Sequence, residues 1–154
     1  SKRFNESNVL GEIALRVLRD AGVKAEHRKG IGATGILWSA LVKGDVDVYP
    51  EYTGTLSEEI LKRPGLDRAG IEAELAKRGL VLLPDLGFND GYGLAMTKKR
   101  AEALGLRTLS DLARRPGLKA GITNELLQRS DGWPGLTKTY GLRFAETRGM
   151  EHQV

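Results

Sequence analysis

The stretch GIGATGILWSALVKGDVDVYPEYTGT, residues 30–55, indicates the fold class of this 154-residue chain. After the opening glycines, apolar residues recur at helical spacing, which predicts a helix over 33–43 that ends at Gly44. Valine alternates with aspartate in VDVY, which predicts a short strand over 46–49. A turn follows and leads into a further helix, predicted over 56–63. A helix, a strand and a helix in succession are typical of an α/β protein.

The flanking sequence continues this alternation. Helical periodicity predicts further helices over 6–21, 68–78, 98–104, 110–114 (capped by Ser110) and 124–129, with a looser tail beyond. Alternating or β-rich runs predict strands over 23–28, 80–88, 91–96 and 118–123. Strands that alternate with helices favour largely parallel pairing. The turn-like FNDG near 88–91 is the predicted boundary between lobe one, residues 1–88, and the first part of lobe two, residues 89–154.

The composition argues against several classes of function. Lysines and arginines number 24 against 20 acidic residues, and only 6% of residues are aromatic. The basic run at 97–100 therefore predicts a solvated helix face rather than a nucleic-acid surface. Without cysteine there is no thiol nucleophile or thiolate metal site, and the two histidines, His27 and His152, lie far apart. No apolar run approaches the roughly 18 residues of a membrane span. We expect no catalysis, cofactor, metal or nucleic acid.

GIGATG, residues 30–35, matches the GxGxxG pattern of dinucleotide-binding turns. That pattern requires a buried apolar strand before its first glycine, whereas residues 24–29, KAEHRK, are strongly polar. Asp47 and Glu51 lie about 20 residues on, where the pattern places an acid. The other readings are a strand-to-helix turn with Thr34 near the helix start, or a helix N-terminus that faces a binding cleft. A small nucleotide-binding α/β enzyme therefore remains the alternative function.

Two turns that contain a tyrosine indicate a possible ligand-binding chemistry. Tyr52 follows a predicted strand at its carboxyl end, the edge where ligands bind in open α/β sheets, with Thr55 nearby. Tyr92 lies in FNDGYGLAM, residues 88–96, two positions after Asp90. Aromatic faces beside a carboxylate suit a quaternary ammonium cation, which has no N–H to donate. From the residues alone, tyrosines that cover the core and polar residues that cap turns explain the same pattern.

Five segments, in order along the chain, resemble the substrate-binding proteins of osmoprotectant ABC transporters, which bind glycine betaine, carnitine or choline. They are SKRFNES at 1–7, residues 30–55, GFNDGYGLAM at 87–96, LSDLA at 109–113 and QRSDGWPGLTKTYGL at 128–142. YPEYTGT and FNDGY are the specific parts. The resemblance implies a two-lobed, type II periplasmic-binding-protein-like α/β fold, present here only in part. It also implies that GIGATG begins a helix at the wall of a cleft and holds no phosphate.

The resemblance further implies an interlobe cage for the ligand's trimethylammonium group. Tyr52 and Tyr92 match two cage positions, and Asp90 matches a polar position beside the cage. The remaining cage tyrosines of the family would lie outside this chain. The negative faces of the tyrosine rings, together with diffuse negative charge, would hold the cation.

The same resemblance implies three residues for the ligand's carboxylate. Lys2 and Thr55 match positions that bind this group. Arg129 matches a carboxylate-binding or lobe-bridging arginine, and a guanidinium fork suits a carboxylate well.

The chain is shorter than the proteins it resembles, so we expect truncation, with the end of lobe two and the last part of lobe one missing. Unpaired parallel strands expose apolar edges, which predicts a homodimer or a swapped oligomer, or a fragment with little ligand affinity. The expected partners are a small quaternary ammonium solute and the permease subunits of a transporter. The expected location is the periplasm, or a membrane anchor on the outer face of the cytoplasmic membrane.

Overall fold

The computed structural model describes residues 1–151 and divides into two compact units, Ser1–Leu83 and the residues from Pro84 onward. The first unit contains the helices α1 (Asn5–Asp20), α2 (Thr34–Lys43), α3 (Thr53–Thr55) and α4 (Arg68–Ala76). The second contains α5 (Lys98–Leu104), α6 (Leu109–Leu112), β1 (Lys119–Thr123), α7 (Asn124–Gln128), α8 (Trp133–Tyr140) and β2 (Glu146–Met150). The division falls shortly before the predicted boundary at residue 88, and the assignment of these units to two lobes stays a prediction.

Helix α1 anchors the N-terminal segment of the first unit. Phe4 occupies its N-cap without a side-chain hydrogen bond. Ser7 is buried inside the helix, where its Oγ accepts a hydrogen bond from the Lys2 amide at 2.9 Å. Gly11 leaves room for the His27 ring, since a Cβ at that position would overlap the imidazole. The helix thus fixes both the segment before it and the extended chain after it.

The core of the first unit lies under the helical segment that begins at Thr53. Leu56, Ile71 and Leu75 are each no more than 3% exposed, and Trp38 packs against them. Ile71 and Leu75 are four residues apart on α4 and therefore lie on one helix face. Asp67 caps that helix by accepting a hydrogen bond from the Gly70 amide at 2.8 Å.

Helix α3 continues directly into a π-helical turn over Leu56–Ile60. The Leu61 amide donates to the Leu56 carbonyl five residues earlier, at 2.8 Å. Turns of this kind are rare and occur frequently at functional sites. The buried Leu56 belongs to this turn, so the core holds it in place.

The second unit is built on a parallel pair of strands. Strands β1 and β2 pair from Lys119↔Glu146 to Thr123↔Met150, with α7 and α8 in the crossover, as parallel neighbours require. Ile122, Leu126 and Trp133 form its buried core. The Trp133 and Phe144 rings lie 5.3 Å apart with their planes tilted by 38°, an aromatic contact that adds to the burial.

The predicted helices and the strand over 118–123 are confirmed to within a few residues, but four predicted strands are wrong. Among residues 1–151, no strand forms over 23–28, 46–49, 80–88 or 91–96. A strand needs a hydrogen-bonded neighbour, and alternation alone does not supply one. Val81 and Leu83 are accordingly 82% and 60% exposed.

Two further details of the second unit differ from expectation. The looser tail predicted beyond 129 contains α8 and β2. Thr108, not Ser110, begins α6, through a capping box in which the Asp111 carboxylate accepts from the Thr108 amide at 2.9 Å. None of the helices in residues 1–151 has the length and hydrophobicity that a membrane span requires. His152 lies outside the described residues.

Candidate functional site

Lys2 is buried beside the turn that carries Tyr52. Its Nζ donates a hydrogen bond to Oε1 of Glu51 at 2.7 Å, and both side chains are only 6% exposed. The backbone of Lys2 is fixed as well, by its hydrogen bond to Ser7 and by a parallel bridge to Gly32. The lysine expected to bind a ligand's carboxylate therefore already binds a carboxylate of the chain.

Glu51 joins Lys2 to the start of α3. The same oxygen, Oε1, also accepts a hydrogen bond from the Tyr52 amide at 3.0 Å. Tyr52 is the N-cap residue of α3, in extended conformation, and its carbonyl accepts from the Leu56 amide at 2.9 Å. One buried carboxylate thus positions both the ammonium group and the backbone that presents the Tyr52 ring.

Tyr49 adds a second aromatic ring to this turn. Burial raises the pKa of its phenol, and the negative charges of Glu51 and Glu59 raise this pKa further. The phenol therefore stays neutral throughout the physiological pH range. A neutral ring keeps the negative face that attracts a cation.

Sequence reasoning missed Tyr49 and Glu51 as parts of the site. In the sequence, Glu51 lies at the distance from GIGATG at which a dinucleotide-binding motif has an acid, and this spacing does not indicate a role beside Tyr52. The signal available was their placement in YPEY, on either side of the turn's proline.

Thr55 lies on the same helical segment as Tyr52. It is 8% exposed and ends α3, three residues after the N-cap residue Tyr52. The structure therefore groups three of the six predicted residues, Lys2, Tyr52 and Thr55, within the first unit.

Asp90 and Tyr92 lie in a different kind of environment. They belong to a stretch of the second unit, from Pro84 to Thr97, in which the described chain forms neither helix nor strand. Asp90 is exposed and the Tyr92 side chain is 55% exposed. They are close in sequence but are not embedded in a buried polar cluster like that around Tyr52.

Arg129 ends α7 and forms a two-point ion pair within its own loop. Its Nε donates to Asp131 Oδ1 at 2.9 Å and its Nη2 donates to Asp131 Oδ2 at 2.7 Å. The arginine side chain is 12% exposed. Like Lys2, this predicted carboxylate-binding residue holds a carboxylate of the chain itself.

The glycines of GIGATG serve close backbone approach. Gly30 adopts φ +60°, a left-handed conformation that favours glycine. Gly32 bridges Lys2, and a Cβ there would come within 2.9 Å of the Ile36 side chain. In the described chain no strand precedes the motif, so the requirement of a dinucleotide-binding turn is not met. The motif instead lets the N-terminal segment pack just before α2, through the bridge between Lys2 and Gly32.

The whole chain, residues 1–154, matches the model of the OpuAC family, the substrate-binding domain of the ABC-type glycine betaine transport system. The chain belongs to this family. The resemblance read from the tyrosine turns and their neighbours is thereby confirmed, and the OpuAC assignment does not favour the nucleotide-binding alternative.

Curated proteins that are similar to the chain agree with this assignment. The chain is 33% identical to the ergothioneine transport permease/ergothioneine binding protein EgtU of Helicobacter pylori (strain G27), over 98% of this chain and 28% of the relative. It is 29% identical to the glycine betaine-binding protein YehZ of Escherichia coli (strain K12), over 95% and 52%. The chain thus spans about half, or less, of the length of these curated relatives.

A solved structure shows the same fold. The crystal structure of a glycine betaine/carnitine/choline ABC transporter aligns with a TM-score of 0.67 at 25% sequence identity. The alignment covers 98% of this chain and 60% of the other. The predicted fold class is therefore confirmed, including the expectation that only part of the fold is present in this chain.

Proposed function

We propose that this chain is the solute-binding part of an ABC importer and binds a quaternary ammonium solute such as glycine betaine, choline, carnitine or proline betaine. Membership of the OpuAC family supports a transport ligand. The observation that carries the proposal is the turn at 49–52, where the Tyr49 phenol lies near a buried pair of opposite charges and the Tyr52 amide donates to the carboxylate of that pair. Such a turn suits a permanently charged, methylated nitrogen better than a hydrogen-bond donor.

The proposed contacts to the cation are aromatic. Tyr52 and Tyr92 would form part of an aromatic cage around the methylated nitrogen, with Asp90 supplying negative charge. Each ring contact contributes about 0.5–2 kcal/mol, depending on how fully it is desolvated. The ligand requires no bond to be made or broken, so the proposed role is capture and not catalysis.

The proposed contacts to a carboxylate come from Lys2, Thr55 and Arg129. An ammonium group has three donors, and the hydrogen bond from Lys2 to Glu51 uses one of them. The others can reach a ligand without breaking the pair. Thr55 offers a hydroxyl on the same helical segment as Tyr52.

Calorimetry with glycine betaine and with choline tests the proposal. Tyr52→Ala and Tyr92→Ala should each weaken binding roughly 2- to 30-fold, the range that one ring contact supplies. Tyr140→Ala is the matched control, because Tyr140 ends α8 and is 37% exposed. An absence of heat at millimolar ligand would contradict the proposal. Unchanged affinity in both tyrosine variants would show that these two rings do not form the proposed aromatic cage.

The partners and location follow from the same proposal. The permease subunits of an importer would receive the solute, and the chain would act in the periplasm or at the outer face of the cytoplasmic membrane. A homodimer or swapped oligomer is also proposed, because Val81, Leu83 and Leu86 are all at least 60% exposed. Light scattering tests this last point, and a monomer at all accessible concentrations would refute it.

A further inference from the structure

Glu51 holds two groups of the proposed site with one oxygen. Its Oε1 lies 2.7 Å from Lys2 Nζ and 3.0 Å from the Tyr52 amide nitrogen. The Lys2 and Glu51 side chains are both 94% buried. Water therefore screens this pair poorly, and its charges act strongly on any group that enters beside them.

We propose that Glu51 is a specificity-determining residue, because its carboxylate neutralises Lys2 and repels a ligand's carboxylate that approaches the same ammonium group. The inference rests on the proposed function and deepens it. Glu51 would thereby set the balance between zwitterionic solutes, such as glycine betaine, and solutes that carry only a positive charge, such as choline.

The physical reason is charge balance at Lys2. An unpaired, buried ammonium group would bind a carboxylate strongly, but Glu51 already neutralises it. A betaine carboxylate that reaches Lys2 also meets the negative charge of Glu51, which lies within hydrogen-bond distance of the same nitrogen. The hydroxyl of choline meets no such repulsion. Glu51 therefore disfavours zwitterions relative to simple cations.

The substitution Glu51→Gln isolates this effect. An amide oxygen can accept the same two hydrogen bonds, from Lys2 and from the Tyr52 amide, so the turn keeps its geometry. The negative charge is lost, and with it the effect of that charge on the neighbouring Tyr49 phenol. Glycine betaine should then bind more tightly and choline slightly more weakly, since the turn has become more positive.

The experiment measures the dissociation constants of glycine betaine and choline by calorimetry. In Glu51→Gln, the ratio of the choline constant to the betaine constant should rise at least about tenfold, as expected for close charges in a buried site. Glu74→Gln is the matched control, because Glu74 on α4 also accepts a hydrogen bond from a lysine, Lys77, at 2.6 Å. The control should leave the ratio unchanged.

The ratio separates specificity from a structural role. A variant in which a smaller fraction of the protein is able to bind has weaker affinity for both ligands by the same factor. The ratio of the two dissociation constants then stays constant. A ratio within about twofold of the unsubstituted protein, or a change towards choline, would overturn the inference. If Glu51→Gln fails to fold, Glu51→Asp keeps the charge but shortens the reach to Lys2, and a smaller change in the same direction is expected; no change would equally overturn it. Failure of the unsubstituted protein to bind either ligand would contradict the proposed function instead.

Discussion

The two tyrosine turns look alike in sequence but differ in structure. YPEYTG and FNDGYG each combine a tyrosine, an acid and a glycine. At the first turn, Glu51 is buried against Lys2 and Tyr52 begins a helix that rests on the buried Leu56. At the second, Asp90 is exposed and Tyr92 is 55% exposed. The acid at the first turn has a buried cation to pair with, and this partner comes from 49 residues away.

The comparison shows which contacts organise the first turn. Although the two turns have similar local composition, the first is held by a charge 49 residues away and by the buried Leu56. The backbone of Tyr52 is thus held by Glu51 and by the Leu56 amide, and such pre-organisation would lower the entropic cost of the proposed binding. Tyr92 instead is 55% exposed and lies in a stretch that forms neither helix nor strand.

The largest expected effect comes from breaking the buried pair at the first turn. Lys2→Ala leaves Glu51 as a buried, uncompensated charge, which should lower the free energy of unfolding by about 3–5 kcal/mol. Denaturant titration followed by circular dichroism measures the change.

Its control is an exposed ion pair of the second unit. Lys119 Nζ lies 2.7 Å from Glu146, but the two side chains are 74% and 40% exposed. Lys119→Ala should therefore cost no more than about 1 kcal/mol. Equal losses in both variants would mean that burial does not distinguish the two pairs.

A slightly smaller effect is expected from the leucines next to the two turns. Leu56→Ala should destabilise the protein by about 2–5 kcal/mol, since it leaves a cavity under the Tyr52 turn. Leu86 precedes the Tyr92 turn and is 66% exposed, so Leu86→Ala should change the stability by no more than about 0.5 kcal/mol. Thermal unfolding of the two variants side by side provides the measurement. A large loss in Leu86→Ala would reveal that the second turn is supported after all.

The smallest effect concerns pH. Hydrogen bonds from Lys29 and then from His27 lower the pKa of Glu12 to about 2, from an ordinary value of 4.5. Because the folded state lowers this pKa, the stabilisation is fully present above about pH 4.5 and is lost as the pH falls towards 2.

Glu12→Gln tests the pH prediction in the unit that carries Tyr52. The variant should lose stability less steeply between pH 4.5 and 2 than the unsubstituted protein. Asp111→Asn is the counterpart in the second unit, where hydrogen bonds from the Arg107 and Thr108 amides lower the pKa of Asp111. Parallel acid titrations by circular dichroism compare the two. Identical slopes for Glu12→Gln and the unsubstituted protein would refute the contribution of Glu12.

Local patterns were sufficient for the helices and for one strand. The periodicity of α1 and the left-handed Gly44 that ends α2 are encoded within a few residues. The strand predicted over 46–49 failed because a strand depends on a neighbour, which alternation cannot reveal. β2 was missed for the converse reason, since ETRGM contains a single large apolar residue, Met150, and pairs because β1 is beside it.

Several residues of the candidate site were predictable one by one, but the contacts between them were not. The motif resemblance indicated Tyr52 and Lys2. It did not reveal that Glu51 links them, because that link joins residues 49 positions apart. Nor did it reveal that Arg129 pairs with Asp131, since the two charges in QRSDG are equally compatible with separate, solvent-exposed side chains.

The direction of the Tyr52 side chain depends on the number of residues in the π-helical turn over Leu56–Ile60. This turn holds about one residue more per turn than an α-helix, and each helical residue advances the chain by about 100°. A single-residue deletion here would let the helix close normally while rotating everything upstream by roughly that angle relative to the core. The Tyr52 phenol would then face a different direction although every side chain around it was unchanged. Indels at this point, rather than substitutions, are the changes that would redirect the aromatic face.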